Sequence, residues 1–120
     1  MTIEKLDFVA VPTTDVERSR TFYLKTLGLR QDEHNPGEFW VGETCFGIYE
    51  PAMYGMEFVP QTTAPLALHV DDVGAARKEL EEKGVGFDGE TFDTGVCHMA
   101  FFTDPAGNRL MLHSRYAPHE

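Results

Sequence analysis

The side chains in this sequence that could move a proton or hold a metal near neutral pH are its imidazoles, thiols and phenols. It has 5 histidines, 2 cysteines and 4 tyrosines among 120 residues. Two of the imidazoles, His69 and His113, stand in apolar, strand-like runs, Pro65-Leu-Ala-Leu-His-Val and Arg109-Leu-Met-Leu-His-Ser. A histidine pair can supply a general base and a general acid at physiological pH. With Tyr49 or Cys97 as a third donor, the same pair could instead hold a divalent metal. Two plainer readings stand beside these: the imidazoles are partly buried and bonded to each other or to backbone, or they touch a ligand without acting on it. Cys45 and Cys97 lie inside apolar runs without metal-knuckle spacing, which favours small buried thiols over a disulfide. His98 falls on the opposite strand face from Cys97 if its hairpin is regular, against a helix or at an interface; a bulge would reverse that.

The elements that must position these groups come as an internal repeat. Phe8-Val-Ala-Val-Pro-Thr-Thr-Asp-Val16 and Pro65-Leu-Ala-Leu-His-Val-Asp-Asp-Val73 share one layout 57 residues apart. In the first copy, alternation predicts a strand over 3–11. Thr13-Thr14-Asp15 supplies a helix N-cap, and Val16, Ser19, Phe22, Tyr23 and Leu27 follow near helical spacing. Gly28 then stops a helix of about three turns with a left-handed cap. Phe39-Trp40-Val41 and Cys45-Phe46-Gly47-Ile48-Tyr49, separated by the turn residues Gly42-Glu43, read as a strand meander.

The second copy caps its helix with Asp71 or Asp72, buries Val73, Ala76 and Leu80, and ends at Lys83-Gly84. A short strand is expected over 85–87. Strands over 97–103 and 109–114 then make a hairpin around Asp104-Pro105-Ala106-Gly107-Asn108. Each half therefore spells strand, helix, three strands. Residues 51–64, with Met53, Tyr54 and Met56, are too apolar for a floppy linker and read as an ordered connection.

Charge and length exclude several functions. A formal net charge of −10, from 20 acidic against 10 Lys+Arg side chains, repels phosphate backbones and anionic lipid, so nucleic acid and membranes are poor partners. No apolar run has the length of a signal peptide or membrane span, and a soluble, cytoplasmic protein is expected. A lone half of about 55 residues would be marginal, so the copies are expected to bury surface against each other or a second chain.

The doubled pattern, with Asp15…Phe22-Tyr23…Leu27-Gly28-Leu29 in one half and Val70-Asp71-Asp72-Val73…Gly84-Val85 and Asp104-Pro105-Ala106-Gly107-Asn108 in the other, resembles the vicinal oxygen chelate superfamily. That superfamily holds glyoxalase I, extradiol dioxygenases, fosfomycin-resistance enzymes and bleomycin-resistance binding proteins. The resemblance covers nearly the whole chain. It implies an α+β fold of two βαβββ modules forming a half-open barrel around one cavity, in a homodimer. On this reading 1–120 is a single glyoxalase-like domain, with module one at 1–58, the connection at 51–64 and module two at 65–117.

Most enzymes of that family hold a divalent metal with His, Glu or Gln on the first and last strands of each module. Those positions fall here on Phe8, Gly47, Pro65 and Met111, none of which can ligate a divalent cation through its side chain. If these positions face the cavity, alternation turns Ala10, Pro12, Ala67 and His69 inward as well, leaving Val9, Val11, Leu66, Leu68 and Val70 to pack under the helices. On the closing strands Cys45, Tyr49 and His113 share that face, joined by Cys97, Met99 and Phe101. The family's sheet order makes first and last strands parallel neighbours, which sets His69 and His113 at similar height. Arg115 and Tyr116 lie just past the last strand, within reach of an anionic group, or serve as ordinary surface. Trp40 is either a stacking platform or core, and Met53, Tyr54, Met56 and Phe58 form either a lid or a dimer seam.

The expectation is a metal-independent protein that binds a small, partly aromatic molecule, sequestering a drug or metabolite. Its ligand-binding residues would be Phe8, Pro12, Trp40, Tyr49, Cys97, Met99, Phe101, Met111 and Arg115. The alternative is a glyoxalase-like isomerase or lyase in which His69 and His113 are catalytic, with no cofactor or with a divalent metal at those two histidines. A third reading is a structural or regulatory dimer with a vestigial pocket.

Overall fold

Two aspartates start the helices. Asp15 accepts the Arg18 N–H at 3.1 Å and Asp72 accepts the Ala75 N–H at 3.0 Å, each reaching the third residue of its helix and satisfying one of the amides a helix start leaves open. In the computed structural model, which describes residues 1–119, α1 runs Val16–Thr21 and continues as a π-helical stretch, Phe22–Thr26. The stretch closes with the Leu27 N–H on the Phe22 carbonyl, 2.9 Å. α2 runs Val73–Glu82. Gly28 and Gly84 follow at φ 69° and 91°, a left-handed backbone that costs a residue with a Cβ more than it costs glycine.

The chain divides into two compact units, Met1–Pro60 and a second that begins at Gln61. The first carries β1 (Phe8–Pro12), β2 (Arg30–Gln31), β3 (Glu38–Val41) and β4 (Thr44–Tyr49) in the order β1-β4-β3-β2. The second carries β5 (Leu66–His69), β6 (Phe87–Asp93), β7 (Cys97–Thr103) and β8 (Arg109–Arg115) in the matching order β5-β8-β7-β6. In both, first and last strands pair in parallel and the others antiparallel. The repeat extends to single hydrogen bonds: Thr13 N–H to the Tyr49 carbonyl (2.9 Å) is matched by Val70 N–H to the His113 carbonyl (3.0 Å). The α+β architecture of two βαβββ modules is therefore as the resemblance implied.

Each sheet buries one face. In the first unit Tyr23, 0% exposed, packs its ring 4.8 Å from Phe46, 6.1 Å from Phe39 and 5.3 Å from Phe22. In the second, α2 lies on β7 and β8, and Val73, Leu80, Ala100, Phe102, Leu110 and Leu112 are buried. The β7–β8 turn is held by Asp104, whose carboxylate accepts the backbone N–H of Ala106 and of Asn108 and the Asn108 side-chain amide. Asn108 Oδ1 in turn accepts the Gln61 N–H at 2.9 Å. The stretch 51–64 is thereby anchored at both ends, by a 3₁₀ turn at Pro51–Tyr54 and by Gln61.

Two strand expectations need correction. The first strand spans Phe8–Pro12, not 3–11; residues 3–7 make no ladder and are exposed, so their apolar members had suggested a pairing that is not made. The strand expected at 85–87 is instead Phe87–Asp93. It is an edge strand with a register shift between Asp88 and Phe92. Its side chains are nearly all exposed, so backbone pairing rather than apolar periodicity defines it. No helix among the described residues is long and apolar enough to cross a membrane.

Candidate functional site

Alternation leaves one face of each sheet without helices. In the second unit that open face is built from rows of register partners. His69 lies beside His113, and His113 beside Met99. Ala67 lies beside Met111, and Met111 beside Phe101. Cys97 faces Arg115 and Thr103 faces Arg109. The two histidines are thus strand neighbours at one height. His69 Nε2 is 3.5 Å from Asp71 Oδ1 with the two side chains 70% and 105% exposed, a contact in water worth little.

The Arg109 guanidinium lies 4.4 Å over the Phe101 ring. Arg115 donates from Nη2 to the Pro118 carbonyl at 3.0 Å. Cys97 is buried with its thiol 3.3 Å from the Thr94 hydroxyl, and so points its sulfur at a local turn.

The first unit's open face has the rows Phe8–Cys45–Trp40–Arg30, Ala10–Gly47–Glu38 and Pro12–Tyr49. Phe8 is 66% exposed. Trp40 belongs to this face rather than the core: its indole N–H donates to Asp32 at 3.0 Å and Arg30 sits 5.8 Å from its ring. That indole N–H, with the His34 backbone N–H next, lowers the Asp32 pKa below the usual carboxylate value. Pro12 is buried, and Tyr49 carries the Tyr54 ring edge-on at 6.3 Å.

Glu38 and Arg109 were not among the expected site residues. The alternation Glu38-Phe39-Trp40 and the run Arg109-Leu-Met-Leu-His could have placed each beside a residue that was.

The Cys45 thiol donates to Glu38 Oε2 at 2.9 Å. Burial, and then the Glu38 carboxylate, push its pKa up to about 11. At pH 8 about one thiol in a thousand would be thiolate. Iodoacetamide is therefore expected to leave Cys45 unmodified in the folded protein at pH 8, with a rate rising about tenfold per pH unit toward 11; peptide mapping showing the rate of a free thiol at pH 8 would contradict this.

The residues do not fit the metal that the superfamily's enzymes use. Phe8, Gly47, Pro65 and Met111 offer a benzyl ring, bare backbone, an imino ring and a thioether, and a hard or borderline cation needs imidazole, carboxylate or thiolate. Among the described residues no group of three or more His, Cys, Asp or Glu side chains is placed to hold a metal ion. His98 lies on the opposite strand face from Cys97, as expected, but it is exposed rather than buried against a helix. Its ring is 5.0 Å from Tyr116, and Asp93 accepts the Tyr116 hydroxyl at 2.8 Å. The Gly95 N–H and then this hydroxyl lower the Asp93 pKa, and the same bond raises that of Tyr116. An open cleft of about 510 Å³ lies there, lined by Asp72, Gly74, Thr91, His98, Ser114 and Tyr116 among others.

Residues 5–112 match the family described as Glyoxalase/Bleomycin resistance protein/Dioxygenase superfamily. Among solved structures the chain is similar to TnmS3, an antibiotic binding protein from Streptomyces sp. CB03234: 28% identity, TM-score 0.80, covering 96% of this chain and 98% of that one. It is also similar to a glyoxalase/bleomycin resistance protein from the same Streptomyces, with 28% identity, TM-score 0.73 and coverage of 92% and 100%. A lactoylglutathione lyase from Agrobacterium tumefaciens, at 16% identity, TM-score 0.78 and coverage of 94% and 95%, shares the fold. No curated protein matches the sequence.

Proposed function

Because the chain belongs to the Glyoxalase/Bleomycin resistance protein/Dioxygenase superfamily, we propose that it is a metal-independent member that holds a small, partly aromatic ligand without transforming it. The observation that carries this is the set Phe8, Gly47, Pro65 and Met111, apolar or without a side chain where the superfamily's enzymes ligate their metal. The open faces around them present Trp40, Tyr49, Met99 and Phe101, flat or soft surfaces that suit an aromatic guest. The likeness to an antibiotic binding protein at 28% identity supports a binding role.

The alternative of His69 and His113 as an acid–base pair has their shared row in its favour. Against it stands the 70% exposure of the His69 side chain, since a catalytic imidazole is normally oriented by a fixed partner. Ile3, Leu6, Met53, Met56 and Val59, each at least half exposed, favour a second copy covering them.

Metal analysis of the purified protein, paired with fluorescence titration of 2-(hydroxymethyl)anthracene, tests the proposal. The expected result is no stoichiometric metal, saturable binding that is unchanged by EDTA, and ligand recovered chemically intact. Stoichiometric metal lost in His69→Ala, or turnover abolished by His113→Ala, would overturn it.

A further inference from the structure

The charges on the open face of the second sheet do not match those of the protein as a whole. The chain carries −10, yet the file of alternate residues along β8 reads Arg109, Met111, His113, Arg115. A fourth basic side chain, His69, stands beside His113.

The carboxylates near this face are Asp71, which lies beside His69, and Asp88, on the edge strand opposite Phe101. Neither forms an ion pair with Arg109 or Arg115, and among the described residues neither arginine has a carboxylate within 4.0 Å. Two guanidiniums without a carboxylate partner among the described residues, on one apolar face, set up a local positive potential inside an acidic protein. A guanidinium is also always charged and binds carboxylate through paired donors.

The geometry sets a length as well. Arg109 leans along the sheet onto Phe101, which places its guanidinium over the Phe101–Met111 row. Arg115 stands four residues beyond Met111 along β8, about 14 Å at a rise of about 3.4 Å per residue. Between them lie Met111, Met99 and His113, an apolar floor with one imidazole. Resting on the binding function proposed above, we infer that the ligand is an acidic aromatic: a flat body about three fused rings long over Met99 and Met111, with a carboxylate or phenolate oxygen on Arg109 or Arg115.

Three probes of one shape test this: anthracene-2-carboxylate, 2-(hydroxymethyl)anthracene and 2-(aminomethyl)anthracene, titrated by fluorescence against the full chain. The carboxylate is expected to bind at least about tenfold tighter than the ammonium. Arg109→Gln and Arg115→Gln should each weaken the carboxylate about five- to tenfold, by more than they weaken the neutral alcohol, and the double variant should erase the preference. Unchanged circular dichroism and thermal melting report that the variants are folded. Arg109→Lys, which keeps the charge, should keep the preference. An ammonium bound as tightly as the carboxylate, or equal loss of all three probes in the arginine variants, would overturn the acid assignment while leaving the binding function standing. No binding of any probe would overturn both.

Discussion

Tyr23→Ala will destabilise the first unit by about 3–5 kcal/mol, the range for removing a large aromatic from a packed core. The ring is 0% exposed and sits among Phe22, Phe39 and Phe46, so its removal leaves a void lined by three rings that the sheet backbone cannot close. It also comes from the π-helical stretch Phe22–Thr26, whose wider turn feeds directly into the Leu27–Gly28 stop. Urea denaturation should show the loss, and the melting temperature should fall by more than about 10 °C. A loss under about 1 kcal/mol would mean that Tyr23 does not organise this core.

Met99→Glu will abolish binding of anthracene-2-carboxylate, by at least about 100-fold, while the protein stays folded. Met99 lies half-buried on the open face, opposite His113 and beside Phe92. The substitution removes part of an apolar contact worth about 1.5–3 kcal/mol and adds a like charge under the ligand's acid. Each 1.4 kcal/mol is about tenfold in affinity. Thr91→Glu, in the cleft on the helix side, is the matched control and should leave binding unchanged. Equal loss in both variants would move the ligand off the open face; retained binding in Met99→Glu would remove it from the floor proposed here.

Legibility followed the range of the interaction. The helix caps were readable because Asp15 and Asp72 bond amides only three residues away, so local composition carries the whole signal. The β7–β8 turn was readable for the same reason, since Asp104 closes on Ala106 and Asn108. β6 was not: Asp88, Gly89, Glu90 and Thr91 are exposed and carry no apolar alternation, and the strand is defined by backbone pairing with β7 on either side of a register shift between Asp88 and Phe92. Trp40 stayed ambiguous until its bond to Asp32 and its place opposite Cys45 put it on the open face. Arg109 carried no signal of its own in the sequence, because its guanidinium lies on Phe101 of the neighbouring strand.

What the sequence determined by itself is the doubled strand–helix–meander order and the replacement of cation-ligating side chains by Phe8, Gly47, Pro65 and Met111. The first follows from residue type and short spacing, and the second from setting those residues against the superfamily that the sequence resembles. Only the tertiary structure decided which side chains share a row, because register between strands is set by hydrogen bonds across dozens of residues. It is that register which brings His69 beside His113 and lines up Arg109 and Arg115 on the open face of the second sheet.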